Sequence, residues 1–174
     1  MYVEKLEEAG YGAALRGLYL SYSKSGTDLD KLAHTLAVKG GGHSKFLESI
    51  QTWWKIAAPR YWWQQMATYR HSTTQSESTM HTLMKRNLVQ ADFEYSLPVS
   101  ILDYLNILID QGDFERLKND LPEGFVQTRV VSVNYATLRN ILGQRRHHKL
   151  NEWRNFCQLV PDQVDHPALL RFEA

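Results

Sequence analysis

Cysteine is almost absent from this sequence. Cys157 is the only one, which excludes an intramolecular disulfide and a cysteine-built metal cluster and fits a reducing, cytoplasmic setting. Charge of a single sign is lacking too, with 20 Lys and Arg against 19 Asp and Glu and a formal net charge of +1. No overall field therefore draws the chain to polymeric nucleic acid or to a membrane surface, and any anion binding must come from local clusters. Apolar runs of membrane-spanning length are missing. The opening Met1-Tyr2-Val3-Glu4-Lys5-Leu6-Glu7-Glu8 has no apolar centre, so it is not expected to act as a signal peptide. Gly-x-Gly-x-x-Gly, phosphate-loop and Gly-x-Ser-x-Gly patterns do not occur. Neither do the His-x-x-x-His and Glu-x-x-His spacings that place metal ligands on one helix face, and no metal site is expected.

What remains is a chain of 174 residues, 43% hydrophobic, enough for one domain spanning 1–174 with a real core. Gly10, Gly12 and Gly17 mark a small-residue helix over 9–20 that could admit another backbone closely. A turn over 23–27 and a short helix over 28–38 follow, broken by Gly40-Gly41-Gly42. Phe46, Leu47, Ile50, Trp53, Trp54 and Ala57 fall on one face of a helix capped by Ser44 and ended by Pro59. The aromatic run over 61–69 reads as a strand. Ile101, Leu102, Leu105, Leu108 and Ile109 lie at helical spacing ahead of Gly112. Residues 114–121 add a short piece, 127–134 alternate as a strand, and 137–142 make a helical turn stopped at Gly143. Leu150, Trp153, Phe156, Cys157 and Val160 form the inner face of a last helix, where Cys157 is a core thiol. The expected fold is mixed α/β (α+β), mostly helical, with a small central sheet.

Two segments stand out chemically. Tyr69 to His81 crowds Arg70, His71, Glu77 and His81 among Ser, Thr and Gln side chains, with no aliphatic residue before Met80. Neutral donors and acceptors around a cation suit a phosphate or the edge of a base. The second segment, Asn134 to Lys149, places Asn140 and Gln144 on one helical face and then runs Arg145-Arg146-His147-His148-Lys149. A basic run of this kind is either a solvated turn or an anion pocket, in which arginine supplies forked donors. The adjacent Trp53-Trp54 and Trp62-Trp63 pairs suit a core, an interface or a stacking platform.

In this order the two segments resemble the flavin-dependent thymidylate synthases. That family carries Arg-His-Arg, then Asn-Glu-x-Ser-x-Arg, met here in degraded form as Arg70-His71-Ser72 and Ser76-Glu77-Ser78-Thr79-Met80-His81. Its later Asn-x-x-x-Leu-x-x-Phe-x-x-x-Arg is similar to Asn134 through Leu138 to Arg145, and Gly42-His43-Ser44 is also family-like. The resemblance implies a homotetramer with sites between subunits, each holding FAD and dUMP. Methylenetetrahydrofolate would give the carbon and NADPH the electrons. It assigns His43, Arg70, His71, Asn134 and Asn140 to FAD. Tyr69, Gln75, Glu77, Ser78, Thr79 and Arg145 would face the nucleotide, with Ser78 and Arg145 nearest the chemistry. Ser72 stands where the family has a second Arg, and Met80 or His81 where it has a closing one, a remodelling that suits a compact, phage-type member. Two readings stay open: an enzyme methylating dUMP to dTMP, and an oligomer on the same fold that sequesters or senses a nucleotide.

Overall fold

The computed structural model describes residues 1–23 and 27–171. At its centre is an antiparallel sheet of order β1-β2-β4-β3, formed by β1 (Tyr2–Ala9), β2 (Gln51–Pro59), β3 (Ser72–Ser76) and β4 (Val126–Asn134). Between β1 and β2 come α1 (Tyr11–Tyr22), α2 (Thr27–Lys39) and a 3₁₀ stretch, Gly41–Ser49. The short α3 (Arg60–Met66) links β2 to β3. An excursion of α4 (Thr79–Thr82), α5 (Val99–Asp110) and α6 (Phe114–Asp120) separates β3 from β4, and α7 (Tyr135–Arg145) and α8 (Asn151–Leu159) follow. The mixed α/β architecture agrees with the expectation from sequence.

One face of the sheet is dry. Thr52, Trp54, Ile56 and Ala58 of β2 and Val131 and Val133 of β4 alternate inward, the period of two that a pleated strand imposes. They meet Trp62 and Trp63 of α3, Leu138 and Ile141 of α7, and Trp153 and Phe156 of α8. Cys157 packs against the rim of this core, and burial raises its thiol pKa to about 11, as a structural cysteine requires. A smaller cluster gathers Leu105, Leu108, Leu117, Leu121 and Phe125 around α5 and α6.

Several local expectations are corrected. Residues 45–57 do not form one helix: the chain makes the 3₁₀ stretch, then enters β2. Apolar residues there satisfy both periods, and pairing on both edges decides for the strand, with Trp54 opposite Lys5 of β1 and Val131 of β4. Buried Thr52 supports that choice, since its hydroxyl donates to Val133 O at 2.7 Å and accepts from Trp54 Nε1 at 2.7 Å. The run over 61–69, expected as a strand, is largely helix α3, because burying Trp62, Trp63 and Met66 together needs helical spacing. Pro59 therefore ends a strand rather than a helix. α7 continues through Gly143 to Arg145, its end packed through buried Leu142. The opening residues form β1, and the polar segment after Tyr69 supplies edge strand β3, where exposed polar side chains blunt an unpaired edge. Much of the expected 23–27 turn lies outside the described residues. Trp54, Trp62 and Trp63 are core residues, and only Trp53 is left on the open sheet face.

Close backbone approach is realised at Gly10 alone among the glycines of α1 and its start. Gly10 has φ +97°, and a Cβ there would sit 2.2 Å from Ser49 O, whereas nothing lies within 4 Å of one on Gly12 or Gly17. Left-handed backbone and a backbone collision together make this position specific to glycine. Gly10→Ala is expected to cost more than about 2 kcal/mol, and Gly12→Ala to be neutral or stabilising. Urea unfolding of both variants checks the contrast.

Candidate functional site

The strand-to-helix junction at Asn134 organises the site. Its Oδ1 accepts from Thr137 N at 2.8 Å and caps α7, while Tyr135 N donates to Ile50 O at 2.9 Å. The first turn of α7 carries no acidic residue, so its positive dipole end is not offset from within the helix. Beside it, the turn after α3 brings up Thr68, Tyr69, Arg70 and His71. These two segments and Glu48 enclose a groove of about 520 Å³, lined also by Asn134, Ala136, Thr137, Asn140 and Gln144. His71 holds φ +63°. Left-handed backbone at a residue other than glycine is strained by about 1–3 kcal/mol and concentrates at functional sites.

Below the groove lies an aromatic cage. Gln144 Nε2 donates to Asn140 Oδ1 at 3.0 Å, the shared face the sequence spacing predicted. The Tyr69 hydroxyl donates to Gln144 Oε1 at 3.1 Å and accepts from Arg145 Nε at 2.6 Å. Arg145 also donates to Gln65 Oε1 at 3.3 Å, and its guanidinium lies 4.8 Å from the Trp153 ring centre and 5.5 Å from that of Tyr69. Such cation–π stacking contributes about 0.5–2 kcal/mol. Arg145 is thus one hydrogen bond from the groove, held flat and half-buried rather than solvated.

Five of the sequence-predicted residues, Tyr69, Arg70, His71, Asn134 and Asn140, share this groove. The others lie elsewhere on the protomer. His43 lines a cleft of about 420 Å³ against α1, which meets the groove at Glu48. Glu77 borders a hollow with Arg86, Asp92 and Thr128. Gln75 lies with Trp53 on the open sheet face. Ser78 is exposed at the start of α4, and Thr79, next to it, is buried and accepts a hydrogen bond from Lys118 Nζ. Burial first, and then Arg60, lowers the Lys118 pKa below the ordinary lysine range. Ser72, standing where a second Arg was expected, donates to Tyr69 O at 3.1 Å. Sequence reasoning missed Glu48 at the groove and Lys118 beside Thr79; no local pattern marks them, because only the packing of distant elements puts them there.

The fold, an antiparallel sheet flanked by helices, is that of thymidylate synthase X. The chain superposes on that protein from Helicobacter pylori, solved with FAD and dUMP, with a TM-score of 0.85 at 19% identity, covering 98% of this chain and 97% of that one. A UMP/dUMP methylase, PolB from Streptomyces cacaoi bound with 5-Br UMP, matches with a TM-score of 0.71 at 16% identity, over 92% of this chain and 87% of that one. Among curated proteins none matches the sequence. Residues 11–167 match the family model described as thymidylate synthase complementing protein, and the chain belongs to this family.

One titration follows from the cage. His148 Nδ1 accepts from Leu150 N at 3.1 Å at the entry to α8. Burial, then Arg145 and Arg154, hold its pKa below the ordinary 6.5. A depressed folded pKa means the unfolded chain binds more protons once pH drops below about 6.5, so this contribution is complete above that value and is lost on acidification. The melting temperature is expected to fall between pH 7 and pH 5, and less steeply in His148→Asn, which keeps an acceptor but does not titrate. Calorimetric melting of both proteins across that range measures the difference.

Proposed function

We propose that the protein is a flavin-dependent thymidylate synthase, converting dUMP to dTMP with FAD, NADPH and methylenetetrahydrofolate. The observation that carries the reading is the convergence of Arg70, His71, Asn134 and Asn140 on one groove at the start of α7. The donor set fits the cofactor: a guanidinium, an imidazole and side-chain amides at a helix start, with the single carboxylate of Glu48 at the edge shared with the His43 cleft, suit a phosphorylated, heteroatom-rich ligand. When bound, FAD supplies the two-electron chemistry that reductive methylation needs. Arg70 and the amides of α7 would hold and orient it. His43, across Glu48 in the neighbouring cleft, would reach its far end. Tyr69 and Gln65 hold Arg145 flat, ready to offer its forked donors to uracil oxygens or phosphate. Ser78 would position the base without acting as a nucleophile. Cys157, the one thiol, packs at the core rim, so a cysteine nucleophile plays no part in this reading.

Gln75, Glu77, Ser78 and Thr79 do not line the groove of their own protomer. We therefore propose a homotetramer in which the nucleotide residues of one subunit complete the groove of another. Trp53 with Thr73, Gln75, Val130 and Ser132 on the open sheet face, and Val99, Ile101 and Ile107 exposed on α5, offer apolar surface for such contacts. A second reading, a nucleotide binder that has lost methyl transfer, is favoured by Ser72, which supplies no cation and donates to Tyr69 O.

Purified protein is expected to retain or take up FAD, seen as flavin absorbance, and to form dTMP from dUMP with NADPH and methylenetetrahydrofolate. Nucleotide binding without flavin in a folded protein would move the assignment to the binder. Arg145→Lys keeps the charge but loses the fork, and should weaken dUMP binding on the order of tenfold with a stability loss near 1 kcal/mol, read by calorimetry and urea unfolding. Light scattering should give a tetramer at micromolar concentration; a monomer would defeat the shared site.

A further inference from the structure

Arg129 occupies an unusual place. By strand alternation it points to the dry face of β4, in line with Gln127, Val131 and Val133. It pairs with Ile56 of β2 on one side and Ser76 of β3 on the other, so it lies on an interior strand. Guanidinium stays charged at any physiological pH, and placing one here is costly unless something compensates it. The protein supplies little. Arg129 Nη2 donates to Gln127 Oε1 at 2.9 Å, and the guanidinium stacks 4.6 Å from the centre of the Trp63 ring. Its Nε is buried with no hydrogen-bond partner. No carboxylate forms an ion pair with it among the described residues, and Glu77 acts on it only through space.

A hollow of about 310 Å³ opens beside it, lined by Arg60, Trp63, Gln64, Ala67, Gln127 and Arg129. No acidic side chain lines this hollow. Arg60 enters from the opposite side, anchored by Nη1 to Leu121 O at 2.9 Å. Its Nη2 lies 3.4 Å from Glu123, a carboxylate about half exposed and also engaged by Gln64. Positive charge therefore exceeds negative around the hollow, and Arg60 is close enough to Lys118 to lower its pKa as well. Stacking on Trp63 fixes the plane of the Arg129 fork, the preorganisation that two-point recognition of a tetrahedral oxyanion needs.

We infer that Arg60 and Arg129, flanking Trp63, form a binding site for a phosphate group, separate from the groove at the start of α7. The site takes the dianionic phosphate of a free phosphate ion or of a phosphorylated small molecule. Arg129 contributes a half-buried fork and Arg60 the solvent-side one, and Gln64 and Gln127 fill remaining donor positions. A bound phosphate would balance the charge that Arg60 and Arg129 bring to this side of the sheet. The inference stands whether or not the protein binds flavin.

The test is titration of the full-length protein with inorganic phosphate at fixed ionic strength, read by isothermal calorimetry and by melting temperature. Phosphate is expected to bind and to raise the melting temperature, and chloride at matched ionic strength is not. Arg129→Lys, which keeps the charge and loses the fork, and Arg60→Gln, a partly exposed change that spares the core, should each weaken phosphate binding on the order of tenfold or more. Arg116→Gln, on the far surface of α6, should leave it unchanged. Because Arg60→Gln preserves the fold, its result decides even if Arg129→Lys melts early. Absence of phosphate binding by the wild-type protein, or unchanged affinity in Arg60→Gln, overturns the site. Two further arms identify the source of the phosphate. Competition of phosphate with dUMP but not with deoxyuridine supports a site that takes the nucleotide's phosphate. Independent binding of phosphate and dUMP supports a site for another phosphorylated molecule.

Discussion

Antiparallel pairing of β2 with β4 is the constraint on which the rest of the molecule depends. From Gln51 opposite Asn134 to Pro59 opposite Val126, the two strands match residue for residue without a bulge. That register points Trp54, Ile56, Val131 and Val133 into one core. It also fixes what happens at each end. At one end Ile50 O receives Tyr135 N, and the chain turns from strand into helix with Asn134 as cap. At the other, Pro59 releases β2 into α3, whose first backbone amides donate to Phe125 O and Glu123 O just before β4. Moving the register by one residue would carry Arg129 to the open face and the site side chains out of reach of one another.

The aromatic nucleus converts that register into a rigid site. Trp62 packs edge-on against Trp63 and tilted over Trp153, with ring centres 4.8 and 4.5 Å away. Trp153 Nε1 donates to Gln65 Oε1 at 2.8 Å, the same oxygen that accepts from Arg145. Trp63 Nε1 donates to Gln127 O at 3.0 Å while its ring carries the Arg129 guanidinium. The same few residues thus fill the core and seat two cations, so neither cation needs a carboxylate to hold its position. In an interior of low dielectric a ring face can hold a guanidinium without neutralising it. The charge remains available to an anion.

Strain is placed with similar economy. His71 adopts left-handed backbone between α3 and β3, where the chain must reverse within a few residues to present Tyr69, Arg70 and His71 together to the groove. The flanking elements hold that turn: Tyr69 N donates to Met66 O on one side, and Ser72 pairs with Val133 on the other. Edge strand β3 carries only polar side chains, so the site turn is followed at once by a segment whose position depends on backbone pairing rather than burial.

Amphipathic helices with clean stops were legible in the sequence. α2, α5 and α8 fall close to where periodicity and glycine put them, because a helix buries one stripe through local spacing. β4 was legible for the same reason, Arg129 and Val131 sharing one side. The groove was partly legible, since Tyr69, Arg70 and His71 are contiguous and Asn134 and Asn140 belong to one helix and its cap. The segment over 45–57 was not, since Phe46, Leu47, Ile50, Trp53, Trp54 and Ala57 satisfy a helical stripe as well as a strand. Only pairing with β1 and β4, distant in sequence, removes the ambiguity. The aromatic run over 61–69 was misread for the complementary reason: its true neighbours, Trp153 and Phe156, lie far along the chain. Composition and local order by themselves determined α2, α5 and α8, the polar site segment and the exclusion of an intramolecular disulfide. Tertiary structure alone decided which strands pair, which tryptophans are buried, and that Arg145 and Arg129 are stacked rather than solvated. Those outcomes rest on contacts between elements far apart in sequence, whose strength no local window contains.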